Sequence, residues 1–278
     1  MSTASRHARA RASAGQGSAK PATLAATIAP THSAILAATH SPEEARAGGA
    51  RPAGGARRLA LFDLDLTLIP YDSGMAWLRF LVDRGALEAG IAEHYLDCCR
   101  RYVRGELDVR SLHRVAMAPL ARFSPAEIDA WGAEFAVGLA ATIPAAAHAL
   151  VAFHRERGDL CALVTATNDF VAAPFACILG VDRLIASRAE LRDGRFTGEV
   201  EGELCHGAEK IARVEAWLAE LGLGWEDFAH SVFYSDSASD LPLLGRVAEA
   251  VAVRPEPRLR AEAQAHGWRI VEELADAL

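Results

Sequence analysis

The chain has 278 residues, 51% of them apolar and 23% charged, which is enough to bury a sizeable core and excludes a disordered, collagen-like or disulfide-scaffold protein. Its formal charge of −7 is unevenly divided: residues 1–58 hold eight Arg and Lys against two Glu, and the other 220 hold 21 against 34. So acidic a body disfavours nucleic acid as a partner, since backbone phosphates demand clustered cations, and no apolar run approaches the roughly 18 residues of a membrane span, so a soluble protein is expected.

Residues 1–57 are rich in Ala, Ser, Thr, Gly and Arg and contain no aromatic residue. Such a segment cannot bury enough apolar surface to offset chain entropy and is expected to be a disordered basic tail. Two roles fit it: a dispensable extension, such as an over-extended start, or an organelle transit peptide. Order is expected from Arg58 onward, with Leu59 to Asp65 (LALFDLD) as a strand buried on both faces. Similar runs follow at Leu160–Ala166, Arg183–Ala186, Ser231–Ser235 and Ala248–Val253, separated by helical segments such as Asn168–Leu179 and Ala208–Leu221. That alternation predicts an α/β fold, a doubly wound parallel sheet.

Two stretches break the alternation. Residues 73–157 hold only helix-period sequence, punctuated at Gly85, Gly105, Ser124-Pro125 and Pro144. About four helices are expected there, an all-helical cap inserted after the first strand, over a core of residues 58–72 and 158–278. Ser124-Pro125-Ala126-Glu127 has the form of a capping box. Arg188–Val200 alternates around Asp193-Gly194, the dipeptide of a tight hairpin turn. The five cysteines form no C-x-x-C pair, which fits reduced thiols in a cytoplasmic protein.

The sequence contains no Walker A loop and no G-x-G-x-x-G. Chemistry concentrates instead at strand ends. Asp63 and Asp65 close the first strand, and two buried acids so near each other require a cation or a shared proton. Asp236 and Asp240 follow the Ser231–Ser235 strand and can converge on the same cation. An all-oxygen site of this kind suits magnesium. Thr165 ends another strand and offers a hydroxyl and a helix N-terminus to an anion, and Lys210 supplies a cation for a nucleophilic carboxylate.

In this order, Asp63-x-Asp65-x-Thr67, Thr165, Lys210 and the Asp236/Asp240 pair resemble the haloacid dehalogenase-like phosphohydrolase superfamily over Leu59 to Val253. The resemblance implies that Asp63 is the nucleophile and Asp65 the general acid and base. It further implies that Thr165, Ala166 and Lys210 bind the phosphoryl group, and that Asp63, Asp65, Asp236 and Asp240 surround Mg2+. The helical insert and the later hairpin resemble the phosphoserine phosphatase branch, in which an acid nine positions after the nucleophile binds the substrate amine. Asp72 holds that position, though it could equally cap the first helix of the insert. Thr165-Ala166-Thr167 and Ser235-Asp236-Ser237 depart from that branch's usual Ser-Gly-Gly and Gly-Asp-Gly, and resemble a bacterial histidinol-phosphatase subgroup.

The expectation is a hydrolase of a small phosphorylated metabolite, with L-histidinol phosphate first and phosphoserine as the alternative. A noncatalytic phospholigand-binding relative is the reading from another class. Arg100, Arg101, Arg104 and Arg114 are expected on solvated helix faces, Trp77 and Tyr95 in the core of the insert, and His94, His113, His148 and His154 in structural or surface positions.

Overall fold

The structure, a computed structural model, describes residues 56–278. Apart from its last two residues, the 1–57 segment lies outside the described residues. β1 is Arg57–Phe62, so the strand expected over Leu59 to Asp65 starts two residues earlier and ends before Asp63. The strands β2 (Leu160–Asn168), β3 (Arg183–Arg192), β4 (Arg195–Glu201), β5 (Phe228–Ser235), β6 (Glu249–Val253) and β7 (Arg269–Val271) complete one sheet, in the order β4-β3-β2-β1-β5-β6-β7. Every neighbouring pair is parallel except β3 with β4.

β1 shows why a continuous apolar run becomes a central strand. Successive side chains point to opposite faces, so Ala60 and Phe62 join the core layer that contains Leu78, Leu150 and Phe175. Leu59 and Leu61 join the other layer, with Val214, Trp217 and Leu259. Both faces are dry, and each buried Leu or Phe contributes about 2 kcal/mol. β2 and β5 flank β1 in register, Phe62 lying beside Leu163 and Tyr234, which brings three strand ends to one edge of the sheet.

Between β1 and β2 the chain forms α1 (Ser73–Asp83), α2 (Gly90–Val103), α3 (Val109–Met117), a 3-10 turn at Ala118–Arg122, α4 (Pro125–Leu139) and α5 (Ala145–Glu156). Residues 73–157 thus hold five α-helices where about four were expected, and the last of them, α5, packs on β2. The capping box at the start of α4 is present: Glu127 N–H donates to Ser124 Oγ at 3.3 Å, and Ser124 N–H donates to Glu127 Oε2 at 2.9 Å. Trp77 is buried against Phe80, Phe135 and Phe170.

After β2 come α6 (Asp169–Leu179), capped by Asn168, then the β3–β4 hairpin and α7 (Glu209–Glu220). A short helix α8 (Leu241–Leu244) and α9 (Pro257–His266) follow. The hairpin turn is as expected: Asp193 (φ 51°) and Gly194 (φ 75°) are both left-handed, and Arg192 pairs with Arg195. However, Arg183–Ala186 and the first arm of the hairpin are one strand. β3 runs parallel to β2 at its start and antiparallel to β4 at its end. The outer arm leans on the insert, where a Cβ on Gly198 (φ 87°) would lie 2.7 Å from Ala118 Cα, so only glycine allows that contact. Arg114 pairs with Glu199 beside it. β7, three residues long, had no periodicity by which to be anticipated.

Candidate active site

The carboxyl ends of β1, β2 and β5 meet at one edge of the sheet, and the first acid follows β1 directly. Asp63 N–H donates to the Tyr234 carbonyl at 3.0 Å, extending the β1–β5 ladder by one residue and fixing where its side chain starts. The chain then turns tightly, with the Leu64 carbonyl accepting from the amides of Thr67, Leu68 and Ile69. Leu66 takes a left-handed φ of 58° and is 49% exposed. For a non-glycine residue that conformation is strained, and Arg254 holds it in place. Its Nη2 donates to the Leu66 and Thr67 carbonyls at 2.9 and 2.7 Å.

Asp63 is 7% exposed. Its Oδ1 accepts from Lys210 Nζ at 2.9 Å and its Oδ2 from Thr67 Oγ1 at 3.2 Å. Burial raises its pKa to about 6, the nearby ammonium opposing that rise and Asp240 adding to it. Lys210, 2% exposed on the first turn of α7, also donates to Asp240 Oδ2 at 2.7 Å. Burial alone would lower its pKa, yet Asp240 and Asp63 hold the ammonium well above the usual lysine value.

Asp65 has different surroundings. Its Oδ1 accepts from Ser73 N–H at 2.8 Å and its Oδ2 from Thr167 Oγ1 at 2.6 Å, which joins the acid to the start of α1 and the end of β2. Burial, then the charge of Asp72, raises its pKa to about 7. One carboxylate is paired with a cation and the other is poised to exchange a proton near neutrality. Two acids with such different partners, one on an ammonium and one on neutral donors, can serve as nucleophile and acid–base group.

Asp236 begins the segment after β5. Its Oδ1 lies 3.1 Å from Thr67 Oγ1, and its N–H donates to the same oxygen at 3.0 Å. Thr67 therefore stands between Asp63 and Asp236. Burial, and after it the charge of Asp63, push the Asp236 pKa up to about 8. Asp240 sits on the other side of the ammonium: Oδ2 accepts from Lys210 and from Ser235 Oγ at 2.7 Å, while Oδ1 is buried without a partner among the described residues. Among the described residues no three His, Cys, Asp or Glu side chains converge as a ligand set. The donors that fit a hard cation are the Asp63 and Asp236 carboxylates, with backbone carbonyl and water for the balance, as suits an ion that keeps several waters.

Thr165 ends the continuous buried run of β2, and Ala166 follows it, partly exposed. Thr165 Oγ1 accepts from Thr167 N–H at 3.1 Å, and the Ala166 carbonyl accepts from Ser187 Oγ at 2.8 Å. Asp72 is the N-cap of α1, its Oδ1 accepting from Met75 N–H at 2.7 Å, so the capping reading is realised. It also receives the Tyr95 hydroxyl at 3.2 Å. Gly74 makes that approach possible, because a Cβ there would lie 2.7 Å from the Tyr95 oxygen. Tyr102 of α2 reaches His206, before α7, at 2.8 Å. Glu256, like Arg254, was not singled out from the sequence. Its Oε1 accepts from Ala238 N–H at 2.8 Å and its N–H donates to the Asp236 carbonyl at 2.9 Å.

Residues 60–245 match the family described as haloacid dehalogenase-like hydrolase. A histidinol-phosphatase of Neisseria meningitidis is 37% identical over 218 residues, which are 77% of this chain and 98% of that protein. A phosphoserine phosphatase of Mycobacterium tuberculosis is 32% identical over 246 residues, 84% of this chain and 78% of the relative. A solved structure of a protein of unknown function from Bordetella pertussis Tohama I superposes with a TM-score of 0.74 at 46% identity, covering 79% of this chain and all of that one.

Proposed function

The chain belongs to the haloacid dehalogenase-like hydrolase family and is a phosphoric monoester hydrolase, and on that premise we propose a magnesium-dependent enzyme that works through an aspartyl-phosphate on L-histidinol phosphate. The observation that carries the mechanism is the contrast between the two acids: Asp63 against Lys210 at 2.9 Å, and Asp65 turned away onto Ser73 and Thr167.

In this reading an Asp63 oxygen attacks phosphorus, the ester P–O bond breaks and the phosphoryl group passes to the carboxylate. Asp65, with a pKa near 7, gives its proton to the departing alcohol oxygen. It then takes a proton from water, whose oxygen attacks the aspartyl-phosphate, releasing phosphate and restoring Asp63. Lys210, Thr165 Oγ1 and the Ala166 N–H bind the phosphoryl oxygens. Magnesium, held by Asp63, Asp236 and the Asp65 backbone, would neutralise charge on the phosphoryl group. Asp240 acts through Lys210, or reaches the ion through water. Within residues 73–157, α1 to α4 would serve as the cap that excludes water, closing on the core of 58–72 and 158–278, on which α5 packs.

For substrate, the Neisseria relative's name and the Thr165-Ala166-Thr167 segment favour histidinol phosphate, and the Mycobacterium relative keeps phosphoserine as the second reading. Asp72 would meet the amine common to both. Asp72→Ala should then raise KM about tenfold for amino substrates and little for an aryl phosphate, whereas equal effects on the two would leave Asp72 a helix cap alone. A cytoplasmic enzyme acting on a small metabolite, with neither nucleic acid nor membrane as partner, completes the reading. The five free thiols support it, and among the described residues no helix is long and apolar enough to cross a membrane.

The test is phosphate release from histidinol phosphate, phosphoserine and an aryl phosphate, with magnesium and with chelator. The expected outcome is the highest kcat/KM on histidinol phosphate and turnover lost on chelation. Inertness toward all three would favour the noncatalytic reading.

A further inference from the structure

The reading above gives no task to His113, yet this side chain joins the insert to the segment that would hold the phosphoryl group. His113 lies in α3, is 9% exposed, and its Nε2 stands 2.6 Å from the Ala166 carbonyl oxygen. A carbonyl oxygen only accepts, so Nε2 carries the proton. Nδ1 is buried and has no partner among the described residues. An orphaned buried acceptor is costly, and a leucine of similar size would fill the space without it. Packing therefore does not account for an imidazole here, whereas donation to Ala166 does.

The Ala166 carbonyl already receives Ser187 Oγ from β3 at 2.8 Å, and Ser187 Oγ in turn accepts from Cys205 N–H at 3.0 Å. Two donors on one oxygen fix the plane of the Ala166–Thr167 peptide. The other polar end of that plane is Thr167 N–H, which donates to Thr165 Oγ1. A hydroxyl that accepts from the backbone has its single proton left to give elsewhere. The chain of contacts thus runs from the α3 imidazole, through one peptide, to the hydroxyl that would meet a phosphoryl oxygen.

We propose that His113 is a positioning residue for phosphoryl binding, holding the Ala166–Thr167 peptide so that the Thr165 hydroxyl presents its proton to the bound phosphate. This rests on the phosphatase reading, which makes Thr165 a phosphoryl ligand. The donor comes from the insert and Ser187 from the sheet, so the phosphate cradle is complete only when α3 is docked.

The experiment uses the full chain with magnesium and inorganic phosphate as the probe, binding being followed by titration calorimetry so that turnover is not required. His113→Leu should weaken phosphate binding about tenfold, the effect of one lost hydrogen bond on a buried group. His113→Gln, whose amide can donate to the same carbonyl, should stay within about threefold of the parent. Loss in the leucine variant with rescue by glutamine supports the proposal. Unchanged binding in His113→Leu, or a glutamine variant as weak as the leucine one at equal Tm, overturns it. Should His113→Leu fail to fold, Ser187→Ala removes the second donor to the same oxygen, and phosphate binding unaltered by that change overturns the proposal equally. Asp63→Asn, assayed in parallel for hydrolysis, separates the two levels: full turnover there defeats the phosphatase mechanism, while an inactive Asp63→Asn beside a fully competent His113→Leu defeats only the role of His113.

Discussion

Replacing Asp63 by Asn should lower kcat by about 10³-fold or more on every phosphate monoester. An amide oxygen is a poor nucleophile, and the residues around it cannot substitute: Asp65 is held by Ser73 and Thr167, and Asp240 by Lys210 and Ser235. The fold should not suffer. Asn keeps its one amide oxygen as acceptor for Lys210, its NH2 can donate to Thr67 Oγ1 while that hydroxyl turns its proton to Asp236 Oδ1, and removing one carboxylate relieves part of the charge that pushes Asp236 upward. Steady-state kinetics and a melting curve on one preparation check both parts. An Asp63→Asn enzyme with parental turnover would place the nucleophile elsewhere.

Lys210→Met should damage stability and turnover together. The ammonium is buried between Asp63 and Asp240, and removing this shared cation costs about 3–5 kcal/mol because both carboxylates then have nothing to meet. The pH dependence identifies the cause. Without the ammonium, the buried carboxylates have folded-state pKa values above their unfolded ones, so the folded state binds more protons and is favoured as pH falls. The stability deficit should therefore shrink between pH 8 and pH 5. In the parent enzyme Lys210 itself is raised, so its contribution is complete below the ordinary lysine value and declines only above it. Denaturant melts at several pH values, in chelator, provide the readout, and a deficit that stays the same from pH 8 to pH 5 would show that lost packing, not lost charge, is responsible.

What was legible in the sequence was local. The 193–194 turn and the Ser124 cap each depend on a few adjacent residues and took their expected form, while the buried β1 run formed its strand but ended at Phe62 rather than at Asp65. The family was legible too, because its motifs lie at strand ends whose order survives in one dimension. Contacts between distant segments were not. Thr67 belongs to a visible motif, yet its position between two carboxylates depends on Asp236, brought from far along the chain. Asp72 admitted two readings because a carboxylate at a helix start has two oxygens to use. His113 and Ser187 carry no local signal; they meet on one carbonyl because β3 lies beside β2 and α3 packs against β4.

Arg254 has a consequence for anyone who would cut this chain into fragments. The family match ends at residue 245, after every motif residue has been counted. The guanidinium that secures the Leu66 and Thr67 carbonyls comes after that point, as do Glu256 and the strands β6 and β7 that place them. A polypeptide ending at 245 would contain each acid, hydroxyl and amine named above and lack the brace on a turn that is left-handed at Leu66. The part of the chain that bears the chemistry is shorter than the part that holds it in shape, and the brace on its first turn is supplied from beyond its C-terminal end.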